Sequence, residues 1–217
     1  MKRREFHAGA ACALASMTLG LSLPALAQVK KPEDGVEYLT LDKRVAVEAP
    51  PDKIEVIEFF WYSCPHCNAF EPRLEAWIKK LPADVVMRRV PVGFRDDFAP
   101  QQRLFYTLEA MGKLDELHGK VFQAIHVDHQ LLNKEELILA WAQKQGLDQA
   151  KFKDLYNSFT VSSKQRRAVQ TQNAFKVQGV PAIGVAGRFY TDGDLARNMD
   201  RALQVTDYLI GEARKTR

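Results

Sequence analysis

Two cysteines, Cys64 and Cys67, are the residues in this sequence best suited to chemistry, because only Pro65 and His66 separate them. Thiols at this spacing can form a disulfide and break it again without a large movement of the backbone. A structural disulfide is a poor explanation, because one that closes so short a loop constrains the unfolded chain very little. A chain of 217 residues can also bury a core without such a link. We therefore interpret the pair as a reversible thiol–disulfide centre.

The residues on either side of the pair predict that Cys64 is the attacking sulfur. The β-branched and aromatic run 54–62 is typical of a buried strand. Apolar residues at helical spacing follow the cysteines, so the pair lies at a strand-to-helix junction. Unpaired N–H groups and the helix dipole would stabilise a Cys64 thiolate there, and His66 adds a donor or a positive charge. The thiolate is the attacking form and also leaves readily, whereas Cys67, one turn inside the helix, would be the shielded resolving thiol.

The remaining pattern predicts an α/β fold interrupted by an all-helical insertion. A second strand is predicted over 85–90, followed by amphipathic helices from Pro100 to about Phe159, with Phe159 on the last of them. A further helix is predicted over 163–177, strands over 180–185 and 189–190, and a final helix from Leu195 to Ile210. We also expect an edge strand within 36–49. Strands before and after the helical run would share one sheet, because neither part could complete a sheet alone.

The first 27 residues are typical of an export signal. Lys2, Arg3 and Arg4 precede a small, apolar stretch over 8–23, and residues 25–27 form an A-x-A cleavage pattern. We expect a signal peptide over 1–27, cleaved after Ala27, which would also remove Cys12. An uncleaved membrane anchor is the alternative, although the apolar stretch is short for a span. The paired arginines leave the Sec and the twin-arginine routes both open.

Charge and ligand spacing exclude several other classes of protein. The chain carries 31 Lys and Arg against 27 Asp and Glu, and removing the leader brings it closer to neutrality, which argues against nucleic-acid binding. No second CxxC motif is present for a zinc site. We interpret His118, His126 and His129 as residues of a solvated face. A c-type haem needs His directly after the second cysteine, where Asn68 stands. We expect no metal and no cofactor other than the redox-active Cys64–Cys67 disulfide.

The motif and one later segment together resemble the DsbA family of thiol:disulfide interchange proteins. Residues 58–67 are similar to the family's active-site segment with its Cys-Pro-His-Cys motif, and Gly179-Val180-Pro181 is similar to its second hallmark, a cis-proline loop. The helical insertion also matches the family. The resemblance implies a thioredoxin-like fold in two parts, over 28–96 and 163–217, with the helical insertion over 97–162. It also implies a cis bond between Val180 and Pro181, facing Cys64.

The resemblance further implies a periplasmic dithiol oxidase. It would donate the Cys64–Cys67 disulfide to unfolded or reduced exported proteins through a mixed disulfide, and a DsbB-like membrane protein would reoxidise it. We expect a monomer with an apolar groove near Cys64. Glu58 takes the place of a buried acid behind the site. A second acid, Glu71, is interpreted from its position as a solvated helix residue, and the influence of Arg88 and Arg89 is left open.

Other activities remain as alternatives from the sequence. A disulfide isomerase or reductase is the first, although residues 28–50 are too few for a separate dimerisation module. A glutathione-dependent transferase of the kappa type is another, and it would not need Cys67. A holdase-like binding module is a third, and its binding would survive the loss of both cysteines.

Overall fold

A five-stranded mixed sheet forms the centre of the protein in the computed structural model, which describes residues 30–216. Its strands are β1 (Leu39–Thr40), β2 (Ile54–Phe60), β3 (Val85–Pro91), β4 (Ala182–Val185) and β5 (Phe189–Asp192). They are ordered β1-β5-β4-β2-β3, with β2 and β3 parallel and the other neighbours antiparallel. Strands from both ends of the chain therefore share one sheet, as predicted.

The α-helices of the described residues fall into two groups. Helices α1 (Pro65–Ile78) and α7 (Met199–Lys215) belong to the sheet domain. Between β3 and β4 lie a short 3-10 turn (Asp96–Phe98) and the helices of what we call the helical unit. These are α2 (Ala99–Ala110), α3 (Leu114–His126), α4 (Glu135–Lys144), α5 (Gln149–Tyr156) and α6 (Phe159–Ala174). This arrangement confirms the predicted α/β fold with a helical insertion.

Strand β2 is buried along its whole length because helices cover both faces of the sheet. Ile54 and Val56 pack in the cluster that contains the apolar residues of α1 and α7. Ile57 and Phe59 pack in the cluster that contains the helical unit. The alternation of side chains along the strand thus divides the core into two parts. Cys64, which follows the end of β2, packs in the cluster that contains the helical unit.

The boundary between the last two helices of the helical unit differs from the prediction. Helix α5 ends at Tyr156, and Phe159 begins α6 instead, with 80% of its surface exposed. The reason is a local cap, because the side chain of Ser158 accepts a hydrogen bond from Val161 N–H and starts a new helix. Helix α6 therefore runs from 159 to 174, not from 163 to 177. The boundary that we expected between 162 and 163 lies inside it.

The last helix runs from Met199 to Lys215 rather than from Leu195 to Ile210, because the side chain of Asn198 accepts a hydrogen bond from Arg201 N–H and caps it there. The edge strand expected within 36–49 is β1, which pairs with β5. Strand β4 begins at Ala182 rather than at Val180, and Pro181 just before it has no N–H to give to a ladder. The leader predicted over 1–27 lies outside the described residues. In the part of the chain that the structure describes, no helix has the length and apolar character needed to cross a membrane.

Candidate active site

Cys64 is the N-cap residue of α1, as the sequence predicts. Its backbone is extended, with φ −79° and ψ 118°, and Pro65 is the first residue of the helix. Proline suits this position because its missing N–H would have no partner in the first turn. The backbone N–H of Cys67 donates to the Cys64 sulfur, with 3.4 Å between nitrogen and sulfur. The fold therefore directs the start of a helix at one sulfur atom.

The two thiols differ in exposure and in acidity. Both are free, but Cys64 retains 7% of its exposed surface whereas Cys67 retains none. The pKa of Cys64 is lowered to about 6, chiefly because the Cys67 thiol donates a hydrogen bond to its sulfur. The backbone N–H groups of Cys67 and His66 and the charge of His66 add to this, while burial opposes it. Burial raises the pKa of Cys67 far above its usual range. At neutral pH, Cys64 is thus a thiolate and Cys67 keeps its proton.

The loop at Val180 and Pro181 faces this thiol, as predicted. The peptide bond between the two residues is cis, which confirms the sequence-derived expectation. The Val180 carbonyl oxygen lies 3.4 Å from the Cys64 sulfur. Pro181 is buried and Val180 is partly exposed, so the loop presents backbone close to the reactive sulfur.

A cleft of about 510 Å³ runs beside the cysteine pair. His66 and the Val180–Pro181 loop line it, and Met199 of α7 adds a flexible apolar side chain. The sequence predicts an apolar groove near Cys64, but charged residues that the sequence did not indicate also line this cleft, namely Arg73, Asp192 and Asp194. The site can therefore accommodate a polypeptide segment beside the sulfur.

Residues of the helical unit hold the segment that leads into Cys64. The ring of Trp61 stacks on Phe98 with ring centroids 4.0 Å apart. The Gln101 side chain donates to the Ser63 hydroxyl at 2.7 Å, and both residues line a second cleft of about 520 Å³. Sequence reasoning missed Gln101 because it lies 38 positions from its partner and no local pattern joins the two.

A buried ionic cluster lies beneath the cysteines, with Arg89 at its centre. Glu58 in β2 stands opposite Arg89 in β3 in the parallel register, and Nε of Arg89 donates a hydrogen bond to a carboxyl oxygen of Glu58 at 3.1 Å. Arg89 also pairs with Glu71 at 2.9 Å and with Glu75, both on α1. Glu71 is only 8% exposed, so the interpretation of it as a solvated residue was wrong. The physical reason is the guanidinium, which compensates a carboxylate that would otherwise stay in water.

The pKa values of the two buried acids of this cluster are shifted in opposite directions. Burial raises the pKa of Glu58 to about 8, against the attraction of Arg89 and with help from the negative charge of Glu71. Burial acts on Glu71 as well, but the His118 ring and Arg89 outweigh it and lower the pKa of that carboxyl. Arg89 stays charged, because the surrounding acids raise its pKa although burial acts the other way. The site thus holds one proton-bearing acid and one ionised acid side by side.

His118 on α3 is a residue of this buried cluster, so its interpretation as part of a solvated face was wrong. Only 4% of it is exposed, and its Nδ1 lies 2.8 Å from the Tyr62 hydroxyl. His126 lies eight residues further along α3. Its Nε2 is 2.8 Å from the Tyr62 carbonyl oxygen, and the residue is partly buried. His129 alone of the three is exposed. Within residues 30–216, no group of three or more His, Cys, Asp or Glu residues could hold a metal ion.

Comparisons with known proteins agree with this geometry. The family model of the DSBA-like thioredoxin domain matches residues 89–204. The thiol:disulfide interchange protein DsbA of Bordetella parapertussis is 41% identical over 207 residues, which cover 95% of each chain. That of Burkholderia cepacia is 38% identical over 200 residues, or 91% of this chain and 94% of the relative. The crystal structure of Pseudomonas aeruginosa DsbA superposes with a TM-score of 0.79 at 40% identity, covering 84% of this chain and 94% of that one. The chain therefore belongs to the DsbA-like thioredoxin family.

Proposed function

We propose that this protein is a thiol:disulfide oxidoreductase that works as a dithiol oxidase on reduced, unfolded polypeptides. The observation that carries the proposal is the position of Cys64, whose sulfur caps α1 and accepts the N–H of Cys67 at 3.4 Å. An arrangement that stabilises the Cys64 thiolate favours the reduced form of the pair. The disulfide form is then a strong oxidant, since reduction yields a well-stabilised product.

In the first step, a substrate thiolate attacks the Cys64 sulfur of the Cys64–Cys67 disulfide. A substrate–Cys64 bond forms, the bond to Cys67 breaks, and its electron pair goes to the Cys67 sulfur. That sulfur is fully buried, so it needs a proton as it leaves. Glu58, whose pKa of about 8 keeps it largely protonated at neutral pH, is the acid we assign to this transfer.

In the second step, a second thiolate of the substrate attacks the substrate sulfur of the mixed disulfide. The substrate disulfide forms, and Cys64 leaves as the thiolate that the helix stabilises. Two electrons have then passed to the protein, which ends with a Cys64 thiolate and a Cys67 thiol, and the Glu58 carboxylate regains from solvent the proton that it gave to Cys67. A membrane partner resembling DsbB would take these electrons and restore the disulfide.

Two clefts flank the reactive sulfur and support a polypeptide as the substrate. One is bounded by the Val180–Pro181 loop and the other by Trp61 and Ser63. The Val180 carbonyl, close to Cys64, can pair with the backbone of an extended segment in the manner of an added strand, whatever the sequence of that segment. We place this activity in the periplasm, in keeping with the leader over 1–27, and expect the protein to act as a monomer.

The test is the redox equilibrium of the purified protein with glutathione, followed by alkylation of free thiols and mass measurement. We expect a reduction potential more oxidising than about −200 mV, whereas a value near the roughly −270 mV of thioredoxin would identify a reductase. The oxidised protein should also oxidise a reduced, unfolded peptide that carries two cysteines. The holdase alternative predicts two results together: the wild type fails to oxidise the peptide, and a variant without both cysteines still binds it.

Single-cysteine variants test the assignment of roles. Cys67→Ala should accumulate mixed disulfides with substrate proteins, because the resolving thiol is gone, and Cys64→Ala should form none. Accumulation in the Cys64→Ala variant alone would reverse the roles of the two residues.

A further inference from the structure

His118 occupies an unusual place for a residue of the helical unit, because its ring lies between two groups of the sheet domain's reactive site. Its Nδ1 lies 2.8 Å from the Tyr62 hydroxyl, and its Nε2 lies 3.4 Å from Glu71 Oε1. The rings of Phe60 and Phe122 meet it edge-on, with centroids 5.2 and 5.3 Å away. The Glu71 contact falls short of a well-formed hydrogen bond, and Nε2 has no hydrogen-bond partner within residues 30–216. The ring is therefore buried, and Nε2, its remaining polar atom, faces the carboxyl group of Glu71.

The contact with Tyr62 determines which ring nitrogen carries the proton. Burial raises the pKa of Tyr62 well above its usual range, so the phenol keeps its hydrogen, and among residues 30–216 the hydroxyl has no partner other than His118 to receive it. The atom placed to accept it is Nδ1 of His118, which must then be unprotonated. The proton of a neutral ring consequently lies on Nε2 and faces Glu71. Burial lowers the pKa of His118, in agreement with a neutral ring.

The Nε2–H of His118 matters because the cluster contains more acids than cations. One guanidinium, that of Arg89, serves three carboxyl groups. The side chain of Glu75 is 42% exposed and can be solvated, so Glu58 and Glu71 are the two acids that compete in the interior. A donor aimed at Glu71 favours the ionised form of that acid, and a negative Glu71 opposes a second negative charge on Glu58.

We propose that His118 is a positioning residue of the thiol–disulfide reaction, whose Nε2–H keeps Glu71 ionised and so leaves the proton of the acid pair on Glu58, ready for Cys67. This rests on the proposed oxidase function, in which Glu58 gives a proton to the departing Cys67 sulfur. The groups that face His118 come from every element packed around it: Tyr62 and Glu58 from the side of β2, Glu71 and Glu75 from α1, Arg89 from β3, and the ring of Phe105 from α2.

The test compares two double variants that both lack the Tyr62 hydroxyl and differ only in the donor toward Glu71. The variant His118→Phe/Tyr62→Phe has no donor, whereas His118→Gln/Tyr62→Phe carries an amide N–H in place of Nε2–H. The readout is the titration of the Glu58 carboxyl, followed by carbon NMR on protein labelled at the glutamate carboxyl carbon. With Phe, the pKa of Glu58 should fall from about 8 towards about 7. With Gln, it should stay close to that of Tyr62→Phe alone.

A second readout is the rate at which a reduced peptide attacks the oxidised protein, divided by the thiolate fraction of the peptide. If the pKa of Glu58 falls to about 7, its protonated fraction at pH 8 falls roughly fivefold, and this rate should fall with it while changing little at pH 6. Equal Glu58 titration in the two double variants would overturn the proposal, as would a rate loss independent of pH. If the double variant with His118→Phe does not fold, Glu71→Gln removes the negative charge of Glu71 directly. The pKa of Glu58 should then also fall. An unchanged Glu58 titration in Glu71→Gln would likewise overturn the proposal.

The two proposals fail in distinguishable ways. A wild-type protein that does not oxidise the peptide refutes the oxidase function, whereas the NMR titration of Glu58 still reports on His118. A wild type that oxidises the peptide normally, with a Glu58 titration that ignores both the His118 and the Glu71 substitutions, refutes the role of His118 and leaves the oxidase function standing.

Discussion

The backbone N–H of Cys67 points at the sulfur of Cys64 across 3.4 Å, and the Cys67 thiol donates to the same sulfur. One residue thus serves both redox forms of the site. In the oxidised form that we propose, it is the disulfide partner of Cys64, and in the reduced form it stabilises the Cys64 thiolate. The four predictions below follow from this relationship and from the buried acids beneath it.

Substituting Cys67 should change the acidity of Cys64. The pKa of Cys64 is about 6, and the hydrogen bond from the Cys67 thiol is the largest cause of its lowering. Cys67→Ala removes that donor but keeps the backbone N–H, so the pKa should rise part of the way towards the ordinary 8.5 or so. Cys67→Ser keeps a hydroxyl donor and should give a value between the other two. Thiolate absorbance at 240 nm measures each midpoint, and an unchanged value in Cys67→Ala would contradict the assignment.

The reduced protein should be more stable than the oxidised protein, by an amount that depends on pH. The pKa of Cys64 is lower in the folded state than in the unfolded state, so its stabilising contribution is complete above about pH 8.5 and is lost as the pH falls through about 6. The disulfide form has no thiol to titrate, and its short loop adds little stability of its own.

Thermal unfolding of both redox forms at pH 5 and pH 8.5 measures this effect. We expect the Tm of the reduced form to exceed that of the oxidised form by several degrees at pH 8.5, and by much less at pH 5. His66→Ala should narrow the difference, because the charge of His66 contributes to it. An oxidised form with the higher Tm at pH 8.5 would remove the argument for a strong oxidant.

Replacing Glu58 with Gln should stabilise the protein in alkaline solution and slow the reaction. Burial raises the pKa of Glu58 to about 8, so folding favours the protonated acid, and stability is lost as the pH rises from about 4.3 towards 8. Gln cannot ionise, so Glu58→Gln should have the higher Tm at pH 8 and nearly the wild-type Tm at pH 4.5. Without its proton donor, attack by a reduced peptide at pH 7 should slow by about tenfold or more.

Glu55→Gln is the matched control, since Glu55 is also a buried acid of β2 but pairs with Arg88. It should leave the rate of peptide attack within about twofold of the wild type, because residues 55 and 58 project from opposite faces of β2. An equal loss of rate in both variants would show a general effect of acids in β2 rather than a specific role of Glu58.

Removing the Arg89 guanidinium should be among the more damaging single substitutions in the chain. Arg89→Met leaves the ionised Glu71 carboxylate buried without its cation, and breaking such a pair costs about 3–5 kcal/mol. Adding Glu71→Gln to Arg89→Met should recover part of that loss, because the double variant no longer buries this charge. Urea unfolding measures these differences. As a control, Arg73→Met breaks the exposed pair with Asp200 and should cost less than about 1 kcal/mol.

Several features of this protein could be predicted from its sequence. The run 54–62 and the helical spacing that follows the cysteines were enough to place Cys64 at a helix N-terminus, because strands and helices depend on neighbouring residues. The cis bond at Pro181 was predicted as well, although from resemblance to a family. The α/β fold with its helical insertion followed from the order of the predicted elements.

The tertiary structure alone decided which polar residues are buried with the cysteines. Glu71 and His118 are charged or polar residues on helices, and such residues are usually solvated, so sequence reasoning placed both in water. Their burial depends on Arg89 and Tyr62, which lie 18 and 56 positions away from them. Periodicity reports the spacing of residues along one element, but it does not say which faces of two distant elements meet. The pKa shifts of Glu58 and Glu71 arise in part from such contacts, with Arg89 and His118.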